Sequence, residues 1–205
     1  TGNNTLCANT VVPTDSNTFN DETCKNIFVP LFAGLPFSDD FDGTSYWADL
    51  DQTPLWQHGM PSGTTINTTH SGSNAWVTNL SGNYTDNADN DLLSPYFDFT
   101  TLGATDTTIL SFWHFVDVEA TNDFGQVHYT LDSANTWNLL GVYPDPYGNN
   151  WYNMSPGGSS IFNHTNSGWM ESSYKLLPNI FNQPNPVQFR FHFVSNSSNH
   201  SYDGW

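Results

Sequence analysis

The chain has 205 residues, 37% hydrophobic and 16% aromatic, enough apolar mass for one good core, or one core plus a fragment of another, and too much for a disordered polymer. Its 20 acidic residues face only Lys25, Lys175 and Arg190, a formal net charge of -17. Such a surface repels phosphate, which argues against nucleic acid or an anionic membrane as partner, and it favours divalent cations.

From Asn26 to Tyr174 there is no Lys or Arg, so the counter-charges of the acidic side chains there are read as water, salt or metal. So few basic residues leave trypsin-like proteases little to cut, which points to an extracellular or cell-surface setting. The first residues, TGNNTL, carry neither the basic nor the apolar region of a signal peptide. No apolar run reaches membrane-spanning length, and no membrane insertion is expected.

Along the chain, residues 1–30 read as two short strands joined by a polar Asp/Asn turn, too little to bury a core alone. Cys7 and Cys24, the only cysteines, fall in these strands and read as a disulfide between neighbours, the alternative being two buried thiols. The stretch NTLCANTVVPTDSNTFNDETCKNIFVP resembles the last hairpin of an immunoglobulin-like adhesive repeat of bacterial surface proteins. In that repeat D-x-N-x-x-N-D marks the closing turn, here Asp15 to Asp21.

Beyond the hairpin, helix signals are nearly absent, because Ala, Leu, Glu and Lys are sparse and no i, i+3, i+4 apolar pattern is sustained. Strand signals are many. Thr107 to Glu119, Gly125 to Asp132, Thr136 to Tyr143 and Pro186 to Ser195 alternate, are rich in aromatic and β-branched residues, and are separated by turns such as DSANT and SPGGSS. The expected class is all-β, a β-sandwich.

Period two sorts the faces. In Thr107 to Glu119, Leu110, Phe112, His114, Val116 and Val118 share the core face, with His114 as a satisfied core histidine. Ile109, Ser111, Trp113, Phe115, Asp117 and Glu119 lie opposite. In Pro186 to Ser195, Val187, Phe189, Phe191 and Phe193 make an apolar face opposite Gln188, Arg190, His192 and Val194. If the two strands share a sheet, its second face collects Trp113, Phe115, Arg190, His192 and His128. Aromatics beside hydrogen-bond donors suit a pyranose ring, so these five are candidate carbohydrate ligands. The other reading is that loops or a neighbouring domain cover this face and its aromatics simply pack.

Acidic turns supply a second candidate. SDDFDG offers Asp39, Asp40 and Asp42, DNADND offers Asp86, Asp89 and Asp91, and Asp203 precedes Gly204. Hard oxygen ligands in flexible turns suit Ca²⁺, the alternative being solvated acidic loops. Catalytic signatures are missing: there is no H-E-x-x-H, G-x-S-x-G, P-loop or G-x-G-x-x-G. Asp117 and Glu119 share a strand face, but such a pair more commonly marks a solvated strand end or two metal ligands than a glycosidase. No enzyme is expected. Eight N-x-S/T sequons, at Asn3, Asn67, Asn79, Asn83, Asn153, Asn163, Asn196 and Asn199, read as chance products of an Asn/Ser/Thr-rich chain rather than glycosylation sites.

The blocks FSDDFDG, LWQHGMPSG, SGSNAWVTNLSGNY, DLLSPYFDFT, ILSFWHF, GQVHYTLDSANTWNLLG, NWYN and YDGW occur in the order of a MAM-like jelly-roll module. The resemblance runs from about residue 36 to 205 and is to the version common in large secreted proteins of Bacteroidota that use type IX secretion. It implies a division into residues 1–30, the tail of a preceding repeat, and 31–205, a jelly roll whose final strand, of the form x-I-D-D-x after DGW, is missing. It implies a structural Ca²⁺ where first and last strands meet, with Asp40, Asp42 and Asp203 as ligands. It also implies adhesion or the presentation of other domains, with neighbouring domains of the same chain, a polysaccharide or another cell-surface protein as partners. The rival expectation is a carbohydrate-binding module accessory to a secreted protease or glycosidase.

Overall fold

The computed structural model describes residues 2–9, 22–29, 31–103, 105–120, 122–163, 165, 167–198 and 201–205, with side chains described except at 2–4 and 25–29. The Asp15 to Asp21 turn lies outside the described residues. Strands β1 (Gly2–Asn9) and β2 (Glu22–Val29) form an antiparallel hairpin that sets Cys7 opposite Cys24, and the two cysteines are disulfide-bonded.

The remainder is all-β, as expected, and its strands form two facing sheets. β7 (Asp89–Phe97), β9 (Phe124–Thr130) and β13 (Val187–Val194) are the long members of the larger sheet. β13 lies between β7 and β9, antiparallel to both. Short strands finish the edges: β10 (Asn138–Leu139) on β9, and β3 (Phe32–Ala33) and β4 (Ala48–Asp49) on β7. The smaller sheet has the order β11 (Gly148–Asn149), β12 (Met170–Leu176), β8 (Thr108–His114). β5 (Gln57–Gly59) and β6 (Ala75–Val77) make a separate hairpin. A single helical turn, α1 (Pro178–Phe181), opens on proline, whose fixed φ suits a first helical position, and buries Phe181.

Alternation explains the core. Val187, Phe189, Phe191 and Phe193 of β13 are all buried, and Phe112 of β8 meets Phe191 edge-on at 4.8 Å between ring centroids. That contact corrects one expectation. β8 and β13 belong to different sheets and face each other across the core, so their outward faces point away from each other.

In β7, Ser94 and Pro95 together oppose the single residue Phe189. This is a β-bulge, a place in a ladder where proline's missing N–H does no harm. The Ser94 hydroxyl accepts the Phe189 N–H, and the Ser94 carbonyl accepts from the Gln188 amide, so the polar groups freed by the bulge are re-paired.

The last residues close the barrel-like space between the sheets. Gly204 exchanges two backbone hydrogen bonds with Asp117, at 2.7 and 2.8 Å, and its φ of +100° is one that a side chain would strain. Trp205 then lies against Gly125, where any Cβ would collide with the indole. The Trp205 Nε1–H donates to His114 Nδ1, which leaves the imidazole proton on Nε2 to donate to Ser172 Oγ, and Ser172 donates to the Asn150 carbonyl. His114 is thus the satisfied core histidine expected of it.

Candidate functional site

A cavity of about 780 Å³ opens along β8. Residues Thr108 to Phe115 form one wall, the segment Leu35 to Phe41 with Trp47 and Trp76 contributes to the others, and Phe189, Phe191 and Trp205 underlie it. Three polar atoms of lining residues are buried without a hydrogen-bond partner among the described residues: Trp47 Nε1, Trp56 Nε1 and Asp39 Oδ2. The aromatic and aliphatic side chains that line the trough can hold a ligand by apolar contact.

The five candidate carbohydrate ligands do not form one face. Trp113 is 45% exposed at the rim of the trough and stacks on His70, with centroids 3.8 Å apart and planes at 13°. Phe115 is only 9% exposed. It is packed with Ile66, Ala75 and Val77 in a small satellite core and is no part of an open platform, because the strand has lost its regular alternation by this point. His128, Arg190 and His192 do come together, on the outer face of the larger sheet and away from Trp113.

That second cluster has a member the sequence pattern missed. Asp91 of β7 accepts from Arg190 Nη1 at 2.7 Å and contacts His192 Nδ1 at 2.8 Å, and Arg190 also lies over the Trp137 ring at 4.8 Å. The counter-charge of this aspartate is therefore a basic side chain 99 residues away, and not the water, salt or metal anticipated from its neighbours. Burial opposes the charge on Asp91, but the hydrogen bond to His192 and the Arg190 charge outweigh it and hold the carboxyl below its ordinary range.

Arg190 Nε donates to His128 Nδ1, so the imidazole is an acceptor at that nitrogen and therefore neutral. Burial first, then the Arg190 charge and His192, push the His128 pKa down to about 3. In the unfolded chain this histidine takes a proton near pH 6.5, and in the folded one only near 3. The unfolded state thus binds more protons between these values. The stabilisation is whole above about pH 6.5 and is lost as pH falls toward 3. The urea midpoint should fall from pH 6.5 to 4.5, and His128→Asn, which keeps an acceptor without a titrating ring, should flatten that decline.

The acidic candidates are likewise dispersed. Asp42 accepts the N–H groups of Ser73 and Asn74, and Asp40 accepts that of Asp42. Asp203, almost wholly buried, accepts the N–H groups of Thr65 and Ile66 on one oxygen at 2.5 and 2.7 Å. Among the described residues, Asp40, Asp42 and Asp203 do not gather as a group with oxygens within 4.8 Å of one another; the one group so close is Cys7, Glu22 and Cys24, where the sulfurs are disulfide-bonded. The physical reason is that backbone donors of separate loops hold these carboxylates.

Asp117 and Glu119 are held in a similar way. Asp117 accepts from Thr165 and from the Asp203 N–H, and Glu119 from Asn196 and Ser198. Buried Asp123 accepts from Tyr84 and from the Asn196 N–H. Asn163, one of the eight sequon asparagines, is also buried, with its amide donating to the Glu119 and Asp123 carbonyls, so in this fold it has no room for a glycan.

No family model matches the chain, and no solved structure gives a significant match. Bacillopeptidase F of Bacillus subtilis (strain 168) is 31% identical over 108 residues. The match takes in 52% of this chain and 7% of that protein, so the chain corresponds to a small part of this relative. Among the described residues no helix is long and apolar enough to cross a membrane.

Proposed function

We propose that the chain is a non-catalytic, MAM-like adhesion or presentation module of a large secreted or cell-surface bacterial protein. The observation that carries this reading is the division of labour between its polar and apolar groups. Asp91, Asp117, Asp123 and Asp203 are engaged by side chains and backbone groups of the fold, while the 780 Å³ trough is lined mainly by aromatic and aliphatic side chains, with Asp39, Asp40, Asp106 and Glu171 among its polar residues. Such a surface suits holding a partner by apolar contact. Similarity to a small part of a peptidase supports a place beside other domains in a longer polypeptide. Three basic residues in 205 suit exposure to proteases.

A second reading, a carbohydrate-binding module accessory to a secreted protease or glycosidase, is favoured by the exposed Trp113 and its stack on His70. Retention of the labelled domain on whole bacterial cells and on purified polysaccharides separates the two. Adhesion to a protein surface gives retention on cells that added sugars do not displace. Sugar recognition gives saturable polysaccharide binding that Trp113→Ala weakens by about tenfold or more with little change in melting temperature, since the ring is a surface group. Retention on neither material sinks both readings.

A further inference from the structure

The acidic and basic residues of the trough are unbalanced. Asp39, Asp40, Asp106 and Glu171 line it, and among the described residues no Lys or Arg does. Arg190 is bound to Asp91 on the outer face of the larger sheet, and Lys175 on β12 is not part of the lining. None of the four carboxylates is in an ion pair among the described residues. Asp39, Asp40 and Asp106 each accept a backbone N–H of their own loop, from Phe41, Asp42 and Gly103, which ties down the loops and leaves the negative charges uncompensated.

Apolar surface and charge are separated by depth. Trp56, Phe97, Phe189, Phe191 and Trp205 are buried, whereas Asp40, Asp106 and Glu171 are exposed, so the floor is apolar and the carboxylates stand at the mouth. The charges are also spread along the length of the wall. Asp106 lies two residues before β8, and Glu171 is paired with Trp113 near the other end of that strand. From Thr108 to Trp113 an extended strand rises about 17 Å, at ~3.4 Å per residue.

One small cation cannot neutralise carboxylates so far apart, and a neutral occupant leaves all four uncompensated in a chain of net charge -17. The occupant that answers both features is elongated, bulky and apolar in the middle and cationic at its two ends. Lys and Arg are suited to those ends, because their stems lie on apolar surface while their heads reach outward, and the heads are attracted to indole faces as well.

We propose that the trough binds a basic, apolar peptide segment of a partner protein, with its large apolar side chains on the floor and Lys or Arg at either end beside Asp106 and Glu171. A polyamine carries the right charges but is too thin to fill a cavity of about 780 Å³. The proposal rests on reading the trough as the surface by which the domain holds its partner, and it names that partner's chemistry.

The test titrates the chain with the capped peptide Lys-Lys-Leu-Phe-Ala-Phe-Lys-Lys, whose inner lysines stand a similar distance apart when extended. Trp47, Trp56, Trp76, Trp113, Trp169 and Trp205 line the trough and Trp137 and Trp151 do not, so the indole N–H signals of a ¹⁵N-tryptophan-labelled sample locate the peptide. Shifts should be confined to the first group. Replacing the four lysines by glutamate, or the leucine and phenylalanines by serine, should weaken binding at least about tenfold, and so should raising NaCl from about 0.05 to 0.5 M. Asp106→Asn with Glu171→Gln should weaken it by a similar factor. Asp86→Asn with Asp89→Asn removes the same charge from residues outside the lining and should change it less than about twofold.

Equal binding of the lysine and glutamate peptides, equal loss in the two double variants, or no shift at millimolar peptide overturns the proposal. Spermine binding as tightly as the peptide also overturns it, and assigns the mouth to a polyamine. Shifts of the trough indoles that grow with protein concentration in the absence of peptide overturn it in favour of a second copy. Peptide binding as described, with no retention on cells, would leave the proposal standing and sink the adhesion reading alone; retention on cells that neither salt nor the peptide reduces would do the reverse.

Discussion

Replacing Trp205 with alanine is expected to lower the stability of the sandwich by about 3–5 kcal/mol, the usual cost of emptying a buried tryptophan site. The ring is almost fully buried and meets Trp56, Phe162 and Phe191 at 5.6 to 5.7 Å between centroids, so its loss opens a cavity between the two sheets. It also removes the first donor of the hydrogen-bond relay through His114 and Ser172 to Asn150. Trp205→Phe restores most of the packing and none of the N–H, so it should fall between wild type and alanine. Urea unfolding followed by far-ultraviolet circular dichroism measures both. A loss below about 1 kcal/mol for the alanine variant would mean that the ring is not seated between the sheets.

Asp203→Ala should destabilise by about 2–4 kcal/mol, because the buried Ile66 N–H and the partly buried Thr65 N–H lose a charged acceptor. Asp203→Asn keeps an amide oxygen and should lose less. The effect is expected at the same size with calcium or with a strong chelator present, since the Asp203 oxygen is held by backbone donors. A calcium site shared by Asp40, Asp42 and Asp203 predicts a different pattern: chelator lowers the wild-type melt, Asp42→Asn reproduces that fall, and Asp203→Ala adds nothing further. Melts of wild type and the three variants, each with calcium and with chelator, distinguish the two patterns.

Strands with regular apolar alternation were legible in the sequence. Val187, Phe189, Phe191 and Phe193 announce β13, and Leu110, Phe112 and His114 announce the inner face of β8. β7 hides because it starts in the acidic run DNADND and contains Pro95, features of a loop until the β13 ladder and the bulge absorb them. β12, MESSYKL, hides because one of its inward residues is Ser172, buried as a link in a hydrogen-bond relay and not as apolar volume. Local patterns do not show which strands share a sheet. Period two alone therefore groups Trp113 with Arg190, although the two lie on outward faces of different sheets. For the acidic residues, sequence shows where carboxylates lie and not which backbone N–H groups will reach them. Thr65 and Ile66 are 138 and 137 residues from Asp203.

On the reading offered here, the domain attaches its parent polypeptide to a surface and takes no part in bond-breaking. Deleting residues 31–205 in frame from that polypeptide tests this most directly, with retention at the cell surface and turnover of any substrate the parent acts on scored side by side. Retention should fall by about tenfold or more while kcat/KM on a soluble substrate stays within about twofold, since no transition-state contact is removed. Loss of turnover with retention unchanged would contradict it.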